Sequence, residues 1–279
     1  MSERPLILVT NDDGLLSPGL HAAAEAVADL GELLLVAPAT QQTAMSRAFF
    51  GGPDAGVIER VDLHIGGRPV PGYAITGSPV MAVTHAVLEL ADRPIELCVS
   101  GINYGENIGG TIGVSGTIGA ALEADAHGIP AIAASITAQI SEWRSYGTLD
   151  WTAARHFTER LARQVLEDGM PAGVSVLSLN VPRSATSETE LRKTVQSHQP
   201  YYMRSRPAVA RPLDQPYTFA VEAVVDWDRL EPDSDIYAVV HDGVCSVTPL
   251  TWRMTADTDW VPWGRTVAGP QWGDGGAWT

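Results

Sequence analysis

The chain has 279 residues, 45% of them hydrophobic and 18% charged, with a formal net charge of −15. That length buries a sizeable core without disulfide support, and no apolar run is long enough to span a bilayer. A strongly acidic chain lacks the clustered Lys and Arg that release counterions from a nucleic-acid polymer, but it stays compatible with a small phosphorylated ligand.

Met1-Ser2-Glu3-Arg4-Pro5 shows no leader pattern before the first strand. Cys98 and Cys245 make no disulfide framework, so a reducing, cytoplasmic setting is expected. Leu6-Ile7-Leu8-Val9 reads as a strand buried on both faces, because four branched apolar residues follow one another without polar alternation. It runs into Thr10-Asn11-Asp12-Asp13-Gly14. Pro18 to Val27 is Ala-rich and helical, and Leu33 to Pro38 is a second buried strand. Val80 to Leu90 is expected to be a helix with Ser78 as N-cap and Pro79 in its first turn. Ile95 to Ser100 is a strand in which Cys98 acts as a small hydrophobe. Ser115-Gly116-Thr117 opens a helix over Ile118 to His127, and Ile129 to Ser135 returns as a strand.

Trp151 to Glu167 reads as an amphipathic helix and Val174 to Pro182 as a strand; residues 183–216 are irregular. Tyr217 to Trp227 alternates like an exposed antiparallel strand. Ile236 to Val240, Asp242-Gly243 and Val244 to Thr248 read as strand, turn and strand, giving a β-hairpin element over about 217–250. The alternation of strands and helices predicts βαβ units: an α/β fold with a mostly parallel sheet. Residues 1–250 are expected to form one such domain. Residues 251–279 form a Gly/Trp-rich tail with Trp252, Trp260, Trp263, Trp272 and Trp278, poorly ordered or docked on an oligomer partner.

Adjacent Asp12 and Asp13 repel unless a cation lies between them, which suggests a hard divalent metal such as Mg²⁺ or Mn²⁺. Asn-Asp-Asp-Gly is also ordinary turn chemistry. In open α/β sheets, ligands bind beyond the carboxyl ends of the strands. Three such ends carry oxygen donors: Asp12 and Asp13, then Thr43, then Asn103. The start of the helix at Ser115, Gly116 and Thr117 offers backbone N–H groups to an anion. Each residue alone has an everyday role as loop hydroxyl, turn former or N-cap. Together they make the constellation a metal-dependent phosphate enzyme requires.

Val9-Thr10-Asn11-Asp12-Asp13-Gly14 with Pro18-Gly19, Val36-Ala37-Pro38, Gly77-Ser78-Pro79 and the block Val99 to Gly109 make a specific set of motifs. On these the chain resembles the survival protein E (SurE) family of metal-dependent nucleotidases, and the resemblance is broad. Ser115-Gly116-Thr117 with Ala120-Ala121 and Glu123, Asn180-Val181-Pro182, and Asp242-Gly243 through Thr248-Pro249-Leu250 extend it over most of residues 6–250. It implies a Rossmann-like three-layer αβα core with a protruding C-terminal β element. It also implies a divalent cation and hydrolysis of nucleoside monophosphates by a 5′/3′-nucleotidase. Carried over, the metal ligands are Asp12, Asp13, Thr43 and Asn103, with Thr43 at a position where the family has serine. Asp12, Asp13 and Asn11 are the expected catalytic group, and Asn107, Ser115, Gly116 and Thr117 the expected phosphate binders. A homodimer or homotetramer is expected, with no membrane partner.

Gly110-Thr111-Ile112-Gly113-Val114 departs from the polar and aromatic residues the family places before Ser-Gly-Thr. A specialised phosphatase for another phosphorylated metabolite is therefore an alternative, as is a non-catalytic nucleotide-binding module on the same fold. A haloacid-dehalogenase-type aspartyl phosphatase needs Asp-x-Asp, whereas Asn11-Asp12-Asp13 stands here.

Overall fold

The opening apolar run forms β1 (Leu6–Thr10), buried at all five positions. Ile7 and Val9 face one core, and Leu6 and Leu8 face another. A strand covered on both faces has no exposed position for a polar residue, hence the unbroken hydrophobic run. A computed structural model describes residues 4–143 and 145–255.

The chain continues through α1 (Pro18–Val27) and β2 (Glu32–Pro38) to an antiparallel pair, β3 (Ile58–Ile65) and β4 (Arg68–Ile75). Next come α2 (Pro79–His85), extended to Leu90 by a wider helical turn, β5 (Ile95–Tyr104), α3 (Gly116–Ala126) and β6 (Ala131–Ile136). Then α4 (Thr152–Asp168), β7 (Val176–Val181), β8 (Leu191–Lys193), β9 (Tyr202–Arg204), β10 (Val221–Ala223) and β11 (Cys245–Leu250) follow.

One sheet takes the order β3-β4-β2-β1-β5-β6-β7-β11-β8. Its middle, from β4 to β7, is parallel throughout. β3 and β11 each join antiparallel to their inner neighbours, so the sheet is mixed only toward its edges. On one face α1 packs against α4, with Leu20 and Phe157 in the shared core; on the other α2 packs against α3, with Val83 and Ile118. These are the three layers of an αβα fold. β1 lies where the strand order reverses, with β2 on one side and β5 on the other. A crevice therefore opens beyond its carboxyl end, at Asn11 to Gly14.

The structure departs from the reading of the sequence in four places. Ile58–Ile75 forms a hairpin that the reading of the sequence missed. Its signal was present: alternating apolar residues flank Gly66-Gly67, both at positive φ (55° and 77°), a glycine pair suited to a tight strand connection. Ile236–Val240 is not a strand but part of a helical turn. Asp235 Oδ1 accepts from Ile236 N (2.8 Å) and Ser234 Oγ from Tyr237 N (3.2 Å), capping the turn. The three-residue spacing buries Ile236 and Val239 together beside Ile108 and Tyr201. A short apolar run fits either structure, and here the caps decide. The expected hairpin over 217–250 is therefore absent: β11 pairs instead with β7 and β8. Within Tyr217–Trp227 only Val221–Ala223 is a strand, paired with β9 in a separate two-stranded ribbon. Among the described residues no helix is long and apolar enough to cross a membrane. Trp260, Trp263, Trp272 and Trp278 lie outside the described residues.

Candidate metal centre

Where β1 ends, Asn11 shapes the turn. Its Oδ1 accepts from Gly14 N (3.0 Å), and its Nδ2 donates to Gly14 O (3.2 Å) and to Ser17 Oγ (2.6 Å). Ser17 Oγ in turn accepts from Leu20 N (3.2 Å) and caps α1. Gly14 takes φ +102°, which a side chain resists. Asn11 is fully buried. The structure thus turns its amide into the loop, where it fixes the two residues that follow; the expected catalytic role of Asn11 finds no side-chain group aimed at the crevice.

Asp12 and Asp13 are 4% and 3% exposed. Asp12 Oδ1 accepts from Thr117 Oγ1 (2.7 Å), and Gly116 N–H also donates to its carboxylate. The amino end of α3 thus points its first donors at Asp12. A Cβ on Gly116 would lie 2.7 Å from Asp12 Oδ2, so only glycine admits this approach. Ser115 Oγ accepts from Ile118 N (3.1 Å) and serves as the N-cap of α3. Asp13 Oδ1 accepts from Gln41 Nε2 (2.8 Å), Oδ2 from Tyr104 N (3.3 Å), and its carbonyl from Tyr146 Oη (2.5 Å).

Burial pushes the Asp12 carboxyl up to about 6. Burial, and then repulsion from Asp12, push Asp13 up to about 7. Among the described residues no Lys, Arg or His pairs with either carboxylate. Two nearly inaccessible acids without a counter-charge are costly unless a cation is supplied from outside. That charge deficit fits a divalent metal, and the surrounding donors are hard oxygens, which suit Mg²⁺, Mn²⁺ or Ca²⁺ more than a soft ion. No group of three or more His, Cys, Asp or Glu is arranged as a ready metal cage among the described residues.

Asn103 stands at the carboxyl end of β5, just after a one-residue irregularity in its pairing with β6. Its Nδ2 donates to Gly105 O (2.7 Å), and its Oδ1 accepts from no described protein group. Asn107 is clamped at the backbone by Asn180, whose Oδ1 accepts from Asn107 N (2.7 Å) and whose Nδ2 donates to Asn107 O (3.2 Å). Asn107 Nδ2 donates to Ser135 Oγ (2.9 Å). Thr43 follows Gln42, whose N–H donates to Asp12 O (2.6 Å). The loop is therefore tied to the pair, while the Thr43 side chain itself is exposed and makes no hydrogen bond to a described residue.

Gln41 was not singled out from the sequence. Its amide bridges Asp13 and Trp143 O (2.6 Å), joining the loop after β2 to the segment after β6. An isolated glutamine in a polar loop carries no local signal of this. Asn180 stood only within a matched stretch, and its clamp on Asn107 follows from the neighbourhood of β6 and β7. Cys98 is buried, with its thiol pushed up to about 12, and takes no part.

The family model described as Survival protein SurE matches residues 7–203. The protein named 5′-nucleotidase SurE from Thermococcus gammatolerans is 39% identical over 261 residues, spanning 91% of this chain and 92% of its own length. The protein of the same name from Thermococcus kodakarensis is 39% identical over 262 residues, spanning 90% and 93%. The crystal structure of the SurE protein from Aquifex aeolicus superposes with a TM-score of 0.71 at 25% identity, over 94% of this chain and 99% of that one.

Proposed function

Because this chain belongs to the survival protein SurE family, we propose that it is a metal-dependent phosphomonoesterase, a 5′-nucleotidase that releases phosphate from nucleoside monophosphates. The observation that carries the reading is the buried pair Asp12 and Asp13 at the carboxyl end of the central strand, with no cationic side chain paired to it among the described residues. In this reading Asp12, Asp13, Asn103 Oδ1 and the Thr43 hydroxyl hold the cation, with Mg²⁺ or Mn²⁺ the best matches to an all-oxygen set. A bound divalent cation supplies Lewis-acid polarisation of the phosphoryl group and a more acidic water.

The chain's own residues do the rest. Thr117 and Gly116 fix one carboxylate, and Gln41 and the Tyr104 N–H fix the other, so neither swings when charge changes at phosphorus. In this reading both carboxylates are engaged by the cation, which leaves neither free to attack phosphorus. Hydrolysis adds water across the P–O bond: the water oxygen joins phosphorus and the leaving alcohol takes up a proton. Asn107, braced by Ser135 and Asn180, and the first turn of α3 are the groups we assign to the phosphate. Asn11 and Ser115 act one step back, through the loop and the helix cap they hold. We also propose that the protein works as a dimer or a larger homo-oligomer. Support comes from the exposed Val209, Leu213, Tyr217 and Phe219 around the β9–β10 ribbon, since a lone two-stranded ribbon is marginal in water.

The test is phosphate release from a panel of nucleoside monophosphates and sugar phosphates, with chelator and with Mn²⁺ or Mg²⁺ restored. Release that is lost in chelator, returns with metal and favours nucleotides supports the reading. Tight nucleotide binding without any release would instead indicate a binding module.

A further inference from the structure

Residues 39–50 carry Gln41, Gln42 and Thr43 to the metal centre, yet most of them lie at the surface and belong to no helix or strand. Their backbone is not one the chain adopts by itself. Ala44 and Ser46 take φ of +63° and +50°, a region that disfavours residues with a Cβ and persists only where the surroundings enforce it. The enforcing contacts lie on α3 and the turn before it. Ser46 N–H donates to Val114 O (3.2 Å) and Ser46 Oγ to Gly113 O (3.1 Å). Ser46 O lies so close to Gly119 that a Cβ there would come within 2.0 Å of it. One residue on, Arg47 sends Nε (3.2 Å) and Nη2 (2.5 Å) to Glu123 Oε2. Glu123 is buried on α3, where the Thr84 hydroxyl (3.4 Å) and His127 Nε2 (3.5 Å) meet its Oε1, and Arg47 is the closest partner of its Oε2.

The other side of the guanidinium is covered by a residue from far along the chain. The Trp252 ring lies 4.5 Å from Arg47 Cζ, and Trp252 Nε1 donates to Asp125 Oδ2 (2.5 Å). A ring stacked on a cation both attracts it and keeps water from it. Trp252 is thus fastened to the same helix, α3, that receives Arg47.

We propose that Trp252 is a positioning residue for the metal centre: it holds Arg47 on Glu123 and so keeps the strained turn at Ala44–Ser46, and with it the adjoining Gln41–Thr43 segment, in its site-forming shape. The segment that follows β11 thereby takes part in the site without touching it. The inference rests on the reading of Thr43 and its loop as part of the cation site.

The test uses full-length Trp252→Ala and Trp252→Phe proteins, with Thr43→Val alongside. Hydrogen exchange of the 40–50 backbone is measured without metal, and Mn²⁺ affinity by titration. Trp252→Ala should speed exchange across 40–50 and weaken Mn²⁺ binding by about tenfold, the range seen when support of metal ligands is removed. Trp252→Phe, which keeps a ring but loses the Asp125 bond, should fall between it and the parent. Unchanged exchange in Trp252→Ala overturns the latch. Faster exchange with Mn²⁺ affinity intact in both Trp252→Ala and Thr43→Val overturns the cation-site reading of the loop, and the positioning role with it.

Discussion

Asp12 and Asp13 are ordinary residues made unusual by what surrounds them. Both titrate well above the ordinary carboxylate value of 3.8, at about 6 and about 7. The folded, metal-free protein therefore holds these protons more tightly than the unfolded chain does. Stability from this source is present in acid and is lost as pH rises from about 4 through about 7. Asp12→Asn should remove much of that loss, so metal-free Asp12→Asn melts higher than the parent at pH 8, by on the order of 1–3 kcal/mol, with little difference at pH 4. The same variant should lose most phosphatase activity, about a hundredfold or more, because a cation ligand is gone. Thermal melts at the two pH values and phosphate release check the two halves. An Asp12→Asn protein that melts lower at pH 8 would contradict the charge argument. Gly116→Ala tests geometry rather than charge: a methyl 2.7 Å from Asp12 Oδ2 must push the carboxylate aside. We expect Mn²⁺ affinity and activity each to fall about 10–100-fold, with a cooperative melt retained.

At the level of elements, the site is a meeting of strand ends braced from behind. β7 contributes no residue that we assign to the cation, yet its Asn180 clamps the Asn107 backbone between β5 and α3. Asn180→Ala leaves a buried N–H without its partner, which costs about 1–3 kcal/mol. Phosphate binding should weaken as the loop relaxes, so KM should rise more than Mn²⁺ affinity falls. Equal losses in both would indicate that the clamp serves the whole crevice rather than Asn107. The loop after β2 shows the same logic from the other side. Gln41 joins Asp13 to Trp143 O, linking segments separated by 102 positions in sequence.

For the whole molecule, a cation that binds only the folded state adds stability in proportion to its occupancy. Mn²⁺ at a hundred times its Kd should add about 2.7 kcal/mol, visible as a rise in Tm that Asp12→Asn abolishes. Light scattering at working concentrations should give at least twice the 29.7 kDa chain mass. A fully active monomer would dispose of the assembly proposal.

Much of the central architecture was legible from local pattern. Unbroken apolar runs at Leu6–Val9, Leu33–Pro38 and Ile129–Ser135 belong to strands covered on both faces, and their alternation with helices leaves few topologies. Asp12 and Asp13 stood out because two adjacent acids after a buried strand are chemically conspicuous. Other features depend on distant partners that no local window contains. Ile236–Val240 is apolar enough for a strand, and only the caps at Ser234 and Asp235 and the pocket beside Ile108 and Tyr201 select a helical turn. Asn11 carries the right groups for a phosphate, and its burial against Gly14 and Ser17 directs them into the loop instead. Sequence by itself determined which residues carry charge, bury or bend. Tertiary structure decided which of them meet, because hydrogen bonds and desolvation act across space between segments that the chain keeps far apart.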